Sequence, residues 1–222
     1  MLLRACGFDE TIVASTSVTY LPISTGHESC TIYANRDGLL HKYTGCRGTF
    51  SIDLPAGGTP KINFTMRGHV QDPTDTALPG TVTYDATVPA VVQGVSFSLG
   101  GYGPVCSQVN LDINNQIAVN PDMNDSNGYG EFKITGRQAN GSFDPEAQLI
   151  ATHDFWSDWE DSTEQALSVT LNKGTGNITT ITAPAVVNTA ISESDRNGVL
   201  VYDIPFVIAE SSGDDELSIA FT

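Results

Sequence analysis

Basic residues are scarce in this chain: ten Lys and Arg stand against 26 Asp and Glu over 222 residues, a formal net charge of −16. The cations are scattered singly, from Arg4 to Arg196. Phosphate contacts need them in clusters, so the composition argues against a protein that holds nucleic acid by affinity. A channel through which DNA slides is compatible, since repulsion prevents sticking, and acidity also simply keeps a surface soluble. Cysteine is sparse too. Cys6, Cys30, Cys46 and Cys106 form no Cys-x-x-Cys pair and no zinc spacing. The opening apolar stretch is only a few residues and lacks a small-residue cleavage site, so the default compartment is the cytoplasm. Buried free thiols are then expected rather than disulfides. Apolar runs fall well short of ~20 residues, which leaves nothing to span a membrane.

Catalytic signatures are missing as well. The chain has no Gly-x-Ser-x-Gly elbow, no phosphate-cradling glycine loop and no His-Glu-x-x-His. His27-Glu28 starts like a zinc-protease helix but runs into a strand pattern and reads as a surface turn. The run Asp122-Met123-Asn124-Asp125-Ser126-Asn127-Gly128 alternates oxygen ligands in the manner of a calcium loop. Its glycine falls one place late and its twelfth position is Lys133, so a polar turn is the better reading. Asp214-Asp215 sits in a turn with no apolar pocket to raise a carboxyl pKa. The expectation is a protein that is not an enzyme and has no cofactor or metal.

What is abundant is two-residue alternation, the sign of half-buried strands. Phe50, Ile52 and Leu54 alternate with Thr49, Ser51 and Asp53; Ile62, Phe64 and Met66 with Lys61, Asn63 and Thr65; Leu167, Val169 and Leu171 with Ser168, Thr170 and Asn172. Leu217, Ile219 and Phe221 close the chain in the same way. Asp37-Gly38 between two such runs marks a tight hairpin. Glycine-bearing turns recur down the chain, as in an antiparallel sandwich or barrel. The predicted fold is mainly β: one antiparallel β-sandwich or barrel domain over residues 1–222.

Two segments break the rhythm. Residues 70–89 hold Asp72-Pro73, Pro79-Gly80 and Pro89 and read as a long loop or arm, a length uncommon inside compact domains unless it has a function. Residues 144–165 are the best helical region. Asp144 followed by Pro145 and Glu146 suits a helix start, and Phe155 and Trp159 share one face. This segment carries seven acidic residues and no Lys or Arg, which suits a solvated face or contact with an adjacent subunit.

A family resemblance joins these pieces. The block Leu2-Leu3-Arg4-Ala5-Cys6-Gly7-Phe8 reads as a short helix within residues 1–8. It is followed by Thr16-Ser17-Val18-Thr19-Tyr20-Leu21-Pro22, the hairpin around Asp37-Gly38, the strand from His41 to Leu54, and the ending Leu217-Ser218-Ile219-Ala220-Phe221. In that order they resemble the major tail tube proteins of long-tailed, siphovirus-like bacteriophages. The family pattern usually carries a further stretch before the first block, so the resemblance covers nearly all of this chain but only the later part of longer relatives.

The resemblance implies a virion structural subunit assembled in the host cytoplasm. Copies would form hexameric rings that stack into a tube for genome ejection. Its partners would be itself, a tape measure protein and a tail terminator, with DNA passing through without specific binding and no membrane contact. It implies subunit contacts from the arm and the acidic segment (Asp72, Pro73, Asp75, Leu78, Pro79, Tyr84, Asp158 and Asp161), and lumen positions at Asp53, Asn63, Thr65, Thr170 and Asn172. Two alternatives stay open. One is another ring-forming tail component at a tail end or junction. The other is a carbohydrate-binding or adhesive β-sandwich, for which Tyr102, Trp156 and Trp159 are the only hint.

Overall fold

The structure is a computed structural model that describes residues 1–84 and 88–222. A short helix α1 (Leu2–Ala5) opens the chain and is followed by β1 (Phe8–Val13), β2 (Ser17–Pro22), β3 (Cys30–Arg36) and the long β4 (Leu39–Pro55). Next come β5 (Lys61–Val70), β6 (Thr74–Asp75), β7 (Ser96–Leu99), β8 (Cys106–Asp112), β9 (Gln116–Pro121), β10 (Tyr129–Gly136) and β11 (Asn140–Pro145). Helix α2 (Phe155–Glu160) then precedes β12 (Gln165–Asn172), β13 (Ile178–Asn188), β14 (Ser192–Arg196), β15 (Val199–Ala209) and β16 (Ser218–Phe221).

All ladders are antiparallel. One half of the structure runs β5-β4-β8-β11-β15, and the other runs β7-β12-β13-β16-β2-β1. The C-terminal part of β13 pairs with β15 and joins the halves. The halves fold over one another as a sandwich. Phe50, Ile52, Leu54, Val109, Leu111, Phe143, Ile204 and Phe206 from the first meet Leu99, Leu167, Val169, Leu171, Ile181 and Ile219 from the second in one buried cluster. The alternation visible in the sequence of β4 and β12 therefore is the inside–outside code of both sheets, while Ile62 of β5 and Phe221 of β16 stay exposed. β9 and β10 form a separate two-stranded ribbon. The Asp122–Gly128 run is its turn: the Asp122 carboxylate accepts from the Asn124 N–H and the Asp125 carboxylate from the Asn127 N–H.

Three expected segments differ in extent. The opening helix is one turn, and Phe8 already belongs to β1, because Gly7 at φ +82° ends it. The helix expected over 144–165 is confined to Phe155–Glu160. Asp144 and Pro145 end β11 instead, and Gln165 begins β12. Asp144 is claimed by long-range partners rather than by a helix start. Its carboxylate accepts from the Ser107 and Gln108 N–H groups and pairs with Arg196 at 3.0 Å. Asp154 is the residue that caps the helix, accepting from Ser157 N–H at 3.0 Å. Residues 70–89 do not form an uninterrupted loop. Val70 ends β5, and Thr74–Asp75 pairs with Leu39 and Leu40 of β4. Residues 85–87 of that segment lie outside the described residues.

Candidate assembly surfaces

Register decides which side chains share a face, because directly opposed residues of antiparallel strands point to the same side. On the outward side of β5, β4, β8 and β11, Asn63 opposes Ser51, Thr65 opposes Thr49, and Lys61 opposes Asp53. The row continues through Asn110 and Asp112 to Ser142 and Asn140. This face mixes charges with amides. Asn63 donates to the Asp53 carboxylate at 2.6 Å, and Gln108 donates to Asn110 at 2.9 Å.

The outward side of β7, β12, β13, β16 and β2 has a different chemistry. Ser96 opposes Thr170 and Ser98 opposes Ser168; these face Thr180 and Thr182, then Ala220 and Ser218, then Thr19. Eight hydroxyls thus share a surface that carries no charge until Asp9 on the edge strand β1. Asn172 stands at its end, opposite Ile178. The five expected lumen residues therefore separate: Asp53, Asn63 and Thr65 lie on the mixed face, Thr170 and Asn172 on the hydroxyl face. The shared core between the sheets turns these two faces away from one another.

The expected contact residues separate as well. Asp72, Pro73, Asp75, Leu78, Pro79 and Tyr84 all lie exposed in the arm, Tyr84 at 83%. The arm's ends are fixed: Thr76 N–H donates to Gly38 at 2.8 Å, and Val92 N–H to Gly58 at 2.8 Å. Asp161 is exposed beyond the end of α2, but Asp158 turns inward and lies 3.1 Å from His153. His153 in turn stacks on Tyr102 with ring centroids 4.2 Å apart. The three aromatics that could have formed a glycan platform are engaged in packing. Tyr102 lies under His153, Trp156 meets Tyr202 edge-on, and Trp159 donates to the Thr189 carbonyl.

Two arginine clamps escape the alternation pattern. Arg47, 8% exposed, donates to the carbonyls of His27, Glu28 and Phe132 and pairs with Glu131, tying the β2–β3 loop to the ribbon. Arg137 donates to Ile23 O and pairs with Asp214 at 2.7 Å and Glu216 at 2.9 Å. Hydrogen bonds from Ser24, with the Arg137 guanidinium behind them, hold the Asp214 carboxyl below its ordinary range. Both clamps lock loops against strands, and nothing in the local sequence of Arg47 or Arg137 announces it. Burial, with Cys30 adding to it, pushes the Cys6 thiol up to about 12; burial, with Asp144 adding to it and Arg196 opposing, pushes Cys106 up to about 11.

The surfaces are broad, polar sheet faces flanked by an exposed arm, a geometry suited to contact rather than to turnover. A family model described as phage tail tube protein matches residues 5–222. No curated protein matches the chain.

Proposed function

This chain belongs to the phage tail tube family, a family of structural components of the bacteriophage virion tail, and we propose that its copies form hexameric rings that stack into the conduit for genome ejection. The observation that carries this reading is the family match along nearly the whole chain, together with a sandwich whose two outward faces are both polar. The chain acts as a structural subunit with no catalytic step. Its tail partners are itself, the tape measure protein and the terminator, and assembly takes place in the host cytoplasm.

Of the two faces, the hydroxyl surface fits the bore. It carries no Lys or Arg to grip a phosphate, so DNA can pass without sticking. Thr170 and Asn172 then face the lumen. Asp53, Asn63 and Thr65 share their face with Lys61 and meet protein instead. The arm residues Asp72, Pro73, Asp75, Leu78, Pro79 and Tyr84, with Asp158 and Asp161 of the acidic segment, belong to subunit contacts. Asp161 is free to make one as it stands, whereas Asp158 must first leave His153.

Electron microscopy of the purified protein at rising concentration tests the reading. Hollow tubes of stacked rings are the expected result. Rings that never stack indicate a tail-end or joining component, and monomers at every concentration remove the support for a self-assembling tube.

A further inference from the structure

We propose that the cleft at the tip of the β1–β2 hairpin is the docking site for residues 78–82 of a second copy of this chain, an inference that rests on the tube reading. The sheet carrying β1, β2 and β16 overhangs the sandwich. Ile12, Val18 and Phe221 are register partners on its inward side, the side on which Ile219 is fully buried. Yet Ile12 is 65% exposed and Phe221 37%. The opposite sheet ends too soon to cover them. The result is a cleft of about 370 Å³ whose apolar lining is Ile12, Val13, Val18, Ile178 and Phe221. It meets a narrower apolar slot of about 140 Å³ at Thr179 and Phe221, which reaches across to Pro60 and Ile62 of the facing sheet.

The arm has the converse problem. Leu78 is 56% exposed and Val82 55%, on a segment with no strand between Asp75 and Ser96 among the described residues. Pro79 and Gly80 between them favour an extended or turning backbone over a helix. Among the described residues, the lining of the cleft contains nothing from this segment. One chain thus presents an uncovered apolar cleft and an uncovered apolar segment that do not meet. A second copy brings them together in a heterologous contact, which closes a ring or extends a stack according to the rotation between copies.

Charge agrees with the pairing. Arm residues 70–89 include Asp72 and Asp75 and contain no Lys or Arg. One of the chain's ten basic residues flanks the cleft. Lys173 lies in the β12–β13 turn, where its N–H donates to the carbonyl of Asn177, a lining residue of the cleft. Lys173 makes no ion pair among the described residues, so it can meet the arm's carboxylates.

The test uses two variants of the full chain, Leu78→Cys and Val13→Cys, purified apart, mixed, assembled and treated with a short bismaleimide. With the partly exposed Cys106 changed to Ser in both, a covalent dimer in the mixture, absent from either variant alone and from the parent, is the expected result; Cys6, Cys30 and Cys46 are buried. In parallel, Ile12→Asp changes a side chain the isolated fold leaves exposed. It should keep the wild-type melting temperature while raising the concentration needed for tubes roughly tenfold. Tubes that form without the mixed cross-link, and that form from Ile12→Asp at the wild-type concentration, overturn this contact and leave the tube reading intact. A wild type that never forms tubes counts against the tube reading itself; the mixed cross-link, scored in concentrated solution, then decides the contact alone.

Discussion

The outward face of β4, β5, β8 and β11 and the outward face of β7, β12, β13, β16 and β2 are built by the same alternation over the same core, but their chemistry differs. On the first, Asp53 and Asn63 bond at 2.6 Å and Lys61 stands opposite Asp53. On the second, eight Ser and Thr hydroxyls share a surface without a charge among them. A charged and amide-bearing face can discriminate a partner by complementarity, whereas a hydroxyl face stays wet and indifferent to charge. One rule of folding thus yields two chemically distinct surfaces, and on the reading proposed above the first meets protein while the second lets a polyanion pass.

The largest effect comes from breaking what both faces rest on. Phe50→Ala beneath the mixed face and Leu167→Ala beneath the hydroxyl face should each cost about 3–5 kcal/mol. Thermal melts of both should show one transition lowered throughout. A variant that melted only half the molecule would mean the faces belong to separate units.

Next in size is the contrast in charge tolerance. Thr170→Lys with Thr180→Lys should slow DNA release from assembled virions at low salt, with recovery as salt rises. Asn63→Lys with Thr65→Lys should leave release unchanged. The reverse pattern would move the bore to the mixed face.

A smaller effect sharpens the same contrast in the isolated subunit. Asn63→Asp sets a second carboxylate against Asp53 and should destabilise by up to about 1 kcal/mol, less in high salt. Thr170→Asp, among hydroxyls, should cost less. Denaturant midpoints of the two variants compare them directly.

The smallest effect is expected from acid. Asp214, in the turn leading to β16, has a folded-state pKa below the ordinary carboxylate value. Its contribution is therefore fully present above that ordinary value and is lost as pH falls through the lowered folded one. Wild type should lose a little stability between neutral pH and the acid range that Asp214→Ala does not lose. Parallel melting curves of the two across that range would remove the clamp's role.

Much of this architecture was legible in the sequence because burial follows the two-residue period. Phe50, Ile52 and Leu54, like Leu167, Val169 and Leu171, are buried as their spacing implied. The Asp37-Gly38 hairpin also stands where glycine at φ +87° is needed. The overlong helix reflects a competition that local spacing does not display: Asp144-Pro145 suits a helix start, but Ser107, Gln108 and Arg196, distant in sequence, take the carboxylate. Alternation also cannot say which of two outward faces a residue joins. Spacing alone therefore groups Asn63 with Thr170, whereas pairing sets them on opposite sides of the core. Arg47 was illegible for a related reason. It buries a guanidinium by reaching the carbonyls of three residues on other segments.

The arm is anchored at Gly38 and again at Gly58, a strap rather than a tail. A free tail surrenders most of its conformational freedom at the moment it docks, and its affinity falls by that amount. A strap has already given up part of that freedom during folding of its own subunit, so less is lost on contact. On the proposed tube reading, growth then needs a lower concentration of subunits than a free tail would require.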